Sequence, residues 1–155
     1  PAGELRSGLE VFREYLDAAG APITSVRLGE EITVRLRFRV VDRPALRDVA
    51  LVDLLPGGFE PVLIPTPIGG TSGGPGWANP LGGGGTWSAE FADIREERVV
   101  LYGTVGPDMA EFTYRIKATN VGRFVVPPAY GESLYDRTVR ARSPAGQITV
   151  ERPSR

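Results

Sequence analysis

The stretch Glu31–Val40, EITVRLRFRV, sets Ile32, Val34, Leu36, Phe38 and Val40 against Thr33, Arg35, Arg37 and Arg39 in strict alternation. Successive side chains of an extended strand point to opposite faces, so this pattern predicts one apolar face and one solvated face. A helix would scatter the same residues around its axis. The period returns in AEFTYRIKAT, with Phe112, Tyr114 and Ile116 inward, and more briefly in GRFVVP and GQITVE. DVALVDLLP and RVVLYGTV are apolar on both faces and suit strands covered on both sides or lying at a chain crossing.

Turn clusters (LGEE, LPGG, VGPD, TNVG, SPAG) separate these runs about as often as short antiparallel strands require. GLEVFREYLDAAG is ambiguous, because Leu9, Phe12 and Leu16 approximate helical spacing while Leu9, Val11 and Tyr15 approximate strand spacing. The turn signal DAAG followed by AP favours a first strand. The expected fold class is all-β, an antiparallel β-sandwich, with the 155 residues forming a single domain.

With 41% hydrophobic residues the chain can bury a continuous core without metal or disulfides. Cysteine and histidine are both absent, which excludes thiol catalysis, the serine-histidine-aspartate triad and the usual zinc ligand sets. Eighteen basic against nineteen acidic side chains provide no net field toward nucleic acid or an anionic membrane. No apolar run reaches the roughly 18 residues of a membrane span. PAGELRSGLE has neither an initiator methionine nor the layout of a signal peptide, and the chain reads as a processed or excised piece of a longer polypeptide.

Residues 67–86, PIGGTSGGPGWANPLGGGGT, hold nine glycines and are expected to form a long flexible loop. The run GGGG reads either as native or as an introduced linker, and no P-loop lysine and hydroxyl follow it. Arg35, Arg37 and Arg39, with Arg115 and Lys117, are candidates for a polyanion patch, but Glu30, Glu31 and Glu111 dilute the charge and a solvated outer face is the simpler reading. Trp77 and Trp87 flank the glycines and raise an alternative function, a carbohydrate- or cell-wall-binding module, against the simpler reading that Trp87 anchors the returning chain. The carboxylates Asp93, Glu96, Glu97 and Asp136 show no spacing that marks a glycosidase or a calcium loop. No catalytic residue, metal site or cofactor is assigned, and the chain is read as not an enzyme.

Glu111–Val150, EFTYRIKATNVGRFVVPPAYGESLYDRTVRARSPAGQITV, resembles the end of bacterial alpha-2-macroglobulins. There a strand FTYRxRA leads through PGxFxxPP to an ExMY loop and then VRxRxxxGxxxV. The matching positions include Phe112, Tyr114, Phe124, Pro127, Pro128, Glu132, Tyr135, Arg140 and Arg142, with Leu134 at the usual methionine position. Upstream, GLEVFREYLDAAGAPITSVRLGEEITVRLRFRV, DVALVDLLPGGFEP and ADIREERVVLYGTV are similar to earlier strands of the same domain, so the resemblance covers most of the chain outside the glycine stretch.

The resemblance implies a macroglobulin, receptor-binding-type sandwich, the tenth macroglobulin-like domain of a protein that traps proteases after bait cleavage. It implies a periplasmic, often inner-membrane-associated parent, with partners in the other domains of the parent chain, in target proteases through that parent and in cell-envelope proteins; nucleic acid and direct membrane insertion are not expected. In thioester-bearing members the terminal domain packs against the thioester domain and a locking loop shields the reactive bond. By that resemblance the interdomain or locking loop spans Pro128 to Arg140, with Pro128, Tyr130, Glu132, Leu134, Tyr135 and Arg140 as its site residues. Pro127 and Pro128 would end a ladder sharply, and Leu134 and Tyr135 would offer apolar contact area, either to a neighbouring domain or to their own sandwich.

Overall fold

The computed structural model describes residues 4–63 and 85–153. Among them there is no helix, and thirteen strands build three sheets. A six-stranded sheet runs in the order β1 (Leu5–Ser7), β12 (Arg140–Arg142), β11 (Ala129–Ser133), β5 (Leu46–Leu54), β8 (Arg98–Val105), β7 (Phe91–Ile94). A four-stranded sheet runs β2 (Leu9–Leu16), β4 (Glu31–Val40), β9 (Ala110–Ala118), β6 (Phe59–Pro61). A three-stranded sheet, β10 (Gly122–Val126), β13 (Gly146–Glu151), β3 (Ser25–Arg27), completes the body. Every named strand pairing is antiparallel except β13 with β3, which is parallel.

GLEVFREYL is a strand, not a helix, because its apolar side chains count in twos: Leu9, Val11 and Tyr15 are buried while Phe12 is only half-buried. It pairs along its whole length with β4, which alternates as its sequence predicts, Ile32, Val34, Leu36, Phe38 and Val40 all being buried. β9 does the same with Phe112, Tyr114 and Ile116. From the other sheet Val49, Leu51, Val99 and Leu101 belong to the same contiguous core. Each such buried side chain contributes about 1.5–3 kcal/mol, so the stack of the two sheets carries most of the fold's stability.

The outer face of the four-stranded sheet is a lattice of charge. Glu14 Oε1 accepts from Arg35 at 2.7 Å and from Arg37 at 2.6 Å, Glu10 from Arg39 at 2.8 Å, and Arg115 lies 3.5 Å from Glu31. The arginines of EITVRLRFRV are therefore neutralised across the strands, as a solvated face requires. Trp87 lies at the opposite layer's margin, its indole N–H donating to the Thr104 carbonyl at 2.8 Å and its ring set edge-on to Phe38 at 4.9 Å. The returning chain is anchored there. Trp77 and most of the expected 67–86 loop lie outside the described residues. Gly85, the last glycine of the run, is described: its φ is 108° and a Cβ would strike the Glu111 carbonyl, so glycine is required at that place.

Candidate functional site

The segment expected as a loop from Pro128 to Arg140 is a strand, a tight turn and a second strand. Ala129–Ser133 is β11, set between β5 and β12 in the six-stranded sheet. The difference has a steric cause. Its inward side chains are the small ones, Ala129, Gly131 and Ser133, so AYGES carries no apolar alternation to read. A Cβ on Gly131 would stand 2.8 Å from Leu9, 3.0 Å from Leu51 and 3.2 Å from Val11, and the strand passes only because the residue is glycine.

Pro127 and Pro128 lack N–H donors, and β11 begins at the first residue that has one. The Ala129 N–H donates to the buried Ser143 hydroxyl at 2.9 Å, and the Ser143 N–H returns a bond to the Ala129 carbonyl at 2.8 Å. At the far end Leu134 N–H donates to Asp48 at 3.0 Å, extending the β11–β5 ladder one step past the strand. The Ser133 hydroxyl accepts from the Asp136 N–H at 3.2 Å, and Asp136 accepts from the Thr138 N–H at 3.0 Å and its hydroxyl at 2.6 Å. The Thr138 hydroxyl, then its N–H, hold the Asp136 carboxyl below its ordinary value. Val139 is fully buried and pins the turn to the core.

The result is a closed turn whose tip faces outward. Leu134 is 48% and Tyr135 83% exposed, so about half of Leu134 and most of Tyr135 stand clear of their own sandwich. Tyr130 and Glu132 lie on the outer face of β11, and Glu132 stands directly opposite Arg140 of β12. The structure thus brings Tyr130, Glu132 and Arg140 together on one sheet face, places Leu134 and Tyr135 on the adjoining turn and keeps Pro128 at the strand entrance.

Behind the entrance lies a buried polar cluster that the residue pattern did not flag. Arg13, on the same face of β2 as Leu9, Val11 and Tyr15, reaches across the sandwich to Asp53 of β5 at 2.6 Å, with side-chain exposures of 3% and 1%. Its second guanidinium nitrogen donates to the Pro127 carbonyl, and the Tyr114 hydroxyl of β9 donates to the other Asp53 oxygen. Burial works against the Arg13 charge, and Asp53 together with Tyr15 and Tyr114 outweighs it, so the guanidinium is held above its ordinary value. Burial also raises the Tyr114 phenol, reinforced by Asp53, and raises that of Tyr15, whose ring lies 5.4 Å from the Arg13 guanidinium. The available signal was one arginine at an inward position of a strand and one aspartate inside an apolar run. Opposite buried charges must find each other.

Among the described residues no group of three acidic side chains is placed to hold a metal. Glu60, Glu96 and Glu97 line one shallow groove beside Phe59 and Asn120 and have no histidine or cysteine with which to share chemistry.

A sandwich of this build, with β11 entering behind a diproline and a turn pinned at its far end, is a macroglobulin-type domain. The chain belongs to the family described as the bacterial alpha-2-macroglobulin MG10 domain, whose model matches residues 8–137. It is 44% identical over 99% of its length to an alpha-2-macroglobulin homolog of Yersinia pestis, and 34% identical over 96% to an alpha-2-macroglobulin of Pasteurella multocida. It spans 8% and 7% of those relatives. In fold it is similar to trypsin-activated alpha-2-macroglobulin from Escherichia coli, with a TM-score of 0.75 at 20% identity over 97% of this chain and 11% of that one. A Salmonella alpha-2-macroglobulin mutant gives 0.74 at 24% identity, covering 95% and 9%.

Proposed function

We propose that this domain is a noncatalytic packing and locking element of a protease-trapping alpha-2-macroglobulin in the periplasm, associated with the inner membrane through its parent. The carrying observation is the turn after β11, held closed by Ser133, Asp136 and Val139 yet presenting Leu134 and Tyr135 to the outside. A turn tied down at its base and apolar at its tip is preorganised for contact, since little conformational freedom remains to be lost on docking. Its partners would be other domains of the parent chain, with target proteases and cell-envelope proteins met through the whole assembly.

The test replaces Leu134 and Tyr135 together by alanine in the domain and in the full-length parent. The domain should melt within a degree or two of wild type, because exposed side chains contribute little to stability. The parent should become more susceptible to proteolysis at the junction with this domain. Loss of folding in the domain, or an unaltered parent, would overturn the reading.

A further inference from the structure

The chain has seventeen arginines and a single lysine, and none of them falls between Arg47 and Arg95. The glycine-rich stretch 67–86 therefore offers no bond to a protease that cuts after a basic residue. Most of the basic residues lie within named strands, where ladder bonds hold the backbone. Among the described residues Arg43, Arg95, Arg137 and Arg152 lie outside them, in the kind of connection where proteolytic nicking concentrates. Arg43 and Arg152 are each followed by proline, whose ring nitrogen carries no N–H and blocks such cleavage. Arg95 is followed by Glu96 and Glu97, carboxylates set against an enzyme whose specificity pocket is itself acidic, and its N–H donates to the Arg98 carbonyl at 2.8 Å. Arg137 has neither guard: Thr138 follows it, and both are exposed.

The turn supplies the protection that the residue after Arg137 does not. The Val139 N–H donates to the Asp136 carbonyl at 3.0 Å, so Arg137 and Thr138 are the two corners of a tight turn and the chain reverses at the bond between them. The Thr138 N–H, on the leaving side of that bond, donates to Asp136 Oδ1 at 3.0 Å, and the Thr138 hydroxyl donates to the same oxygen at 2.6 Å. From β1 the Ser7 hydroxyl donates to the Thr138 carbonyl at 2.7 Å. A protease reads the residues on either side of the cleaved bond as an extended strand. Arg137 and Thr138 can take that form only after these ties have been broken together.

We propose that Arg137–Thr138 is a latched cleavage site for trypsin-like proteases, held shut by the Asp136 carboxylate and the Ser7 hydroxyl. Hydrolysis there breaks the bond from the Arg137 carbonyl carbon to the Thr138 nitrogen, water giving its hydroxyl to the carbon and a proton to the nitrogen, and cuts the connection between β11 and β12. The site does not depend on what the turn contacts in the parent, since the bond and the latch both belong to this chain. Cleavage of a locally opened segment follows the population of the open form, so whatever loosens the latch sets the rate.

Limited trypsin digestion of the folded protein, with the cut bonds identified by mass, tests it. The wild-type chain should give no fragment beginning at Thr138 at times when a free peptide of residues 129–143 is fully cut at Arg137. Asp136→Ala should be cut first at Arg137, at least about tenfold faster than wild type, because hydrogen bonds to a charged group are among the stronger ties. Ser7→Ala removes the tie from β1 alone and should raise the same cut by a smaller factor, roughly threefold. Arg137→Gln added to Asp136→Ala should restore the wild-type pattern. Wild-type cleavage at Arg137 as fast as that of Asp136→Ala would overturn the proposal. So would an Asp136→Ala chain cut equally faster at the strand arginines, which marks a general loss of stability. Should Asp136→Ala fail to fold, Ser7→Ala decides alone, and an unchanged rate at Arg137 would remove the latch.

Discussion

On β2 the outward positions Glu10 and Glu14 meet Arg35, Arg37 and Arg39 in pairs open to solvent, while between them Arg13 points inward and meets Asp53 with both side chains sealed. The two faces of one strand use the same ionic chemistry in two dielectrics. Outside, water already solvates each charge, so a pair adds little and salt screens it. Inside, desolvation costs each ion several kcal/mol, and only the full set of bonds from Arg13, Tyr114 and the Pro127 carbonyl offsets it. The buried cluster is a poor way to add stability and an effective way to fix position. It joins β2, β5 and β9 and holds the carbonyl from which β11 and its turn depart.

The sharpest way to break this contrast is Arg13→Ala, which leaves Asp53 charged and the Pro127 carbonyl orphaned. It should cost about 3–5 kcal/mol, read by urea denaturation. The double variant Arg13→Met, Asp53→Leu should recover most of that loss, yet quicken amide exchange at Ala129 and Gly131 because the Pro127 tie is gone. A double variant as unstable as the single one would show that the pair itself, and not an unpaired charge, sets the stability.

The pH dependence separates the faces next. Tyr15 and Tyr114 have raised phenol pKa values, so their contribution is complete below the unfolded value of about 10 and lost as pH climbs through the folded one. Stability should therefore fall from roughly pH 10 upward. Glu10 and Glu14 are lowered, chiefly by their hydrogen bonds to Arg39 and Arg35, so theirs is complete above the unfolded carboxyl value and disappears as pH falls. Thermal melts across pH should show an alkaline limb steeper than the limb these two carboxylates add in acid. The smallest effect is that of Glu14→Gln, which weakens two partly exposed pairs: about 0.2–1 kcal/mol, and less at high salt. A larger loss, unaffected by salt, would erase the distinction between the faces.

The strands with apolar alternation were legible because period 2 and the solvated face go together: β4 and β9 were named residue by residue, and β2 by the turn after it. β11 was not, since its inward residues are small enough to pass under Leu9 and Leu51, and small residues carry no hydrophobic signal. The candidate residues were named through the family resemblance, and their grouping was not foreseen. Tyr130, Glu132 and Arg140 share a face because β11 and β12 pair, a relation between segments that sequence spacing does not contain. Trp87 was read correctly as an anchor because an indole beside an apolar strand end finds a core to edge into.

By itself the sequence determined that the chain is a two-faced β protein, which residues those faces separate, and that charge would cover one of them. Local periodicity fixes those properties, because it acts over a few neighbouring residues. The tertiary structure alone decided that Arg13 would meet Asp53 forty positions away and that the expected loop would be a central strand. Each of these depends on which strand lies beside which, and the free energy that selects the neighbour is shared among many side chains across both sheets rather than encoded in any one segment.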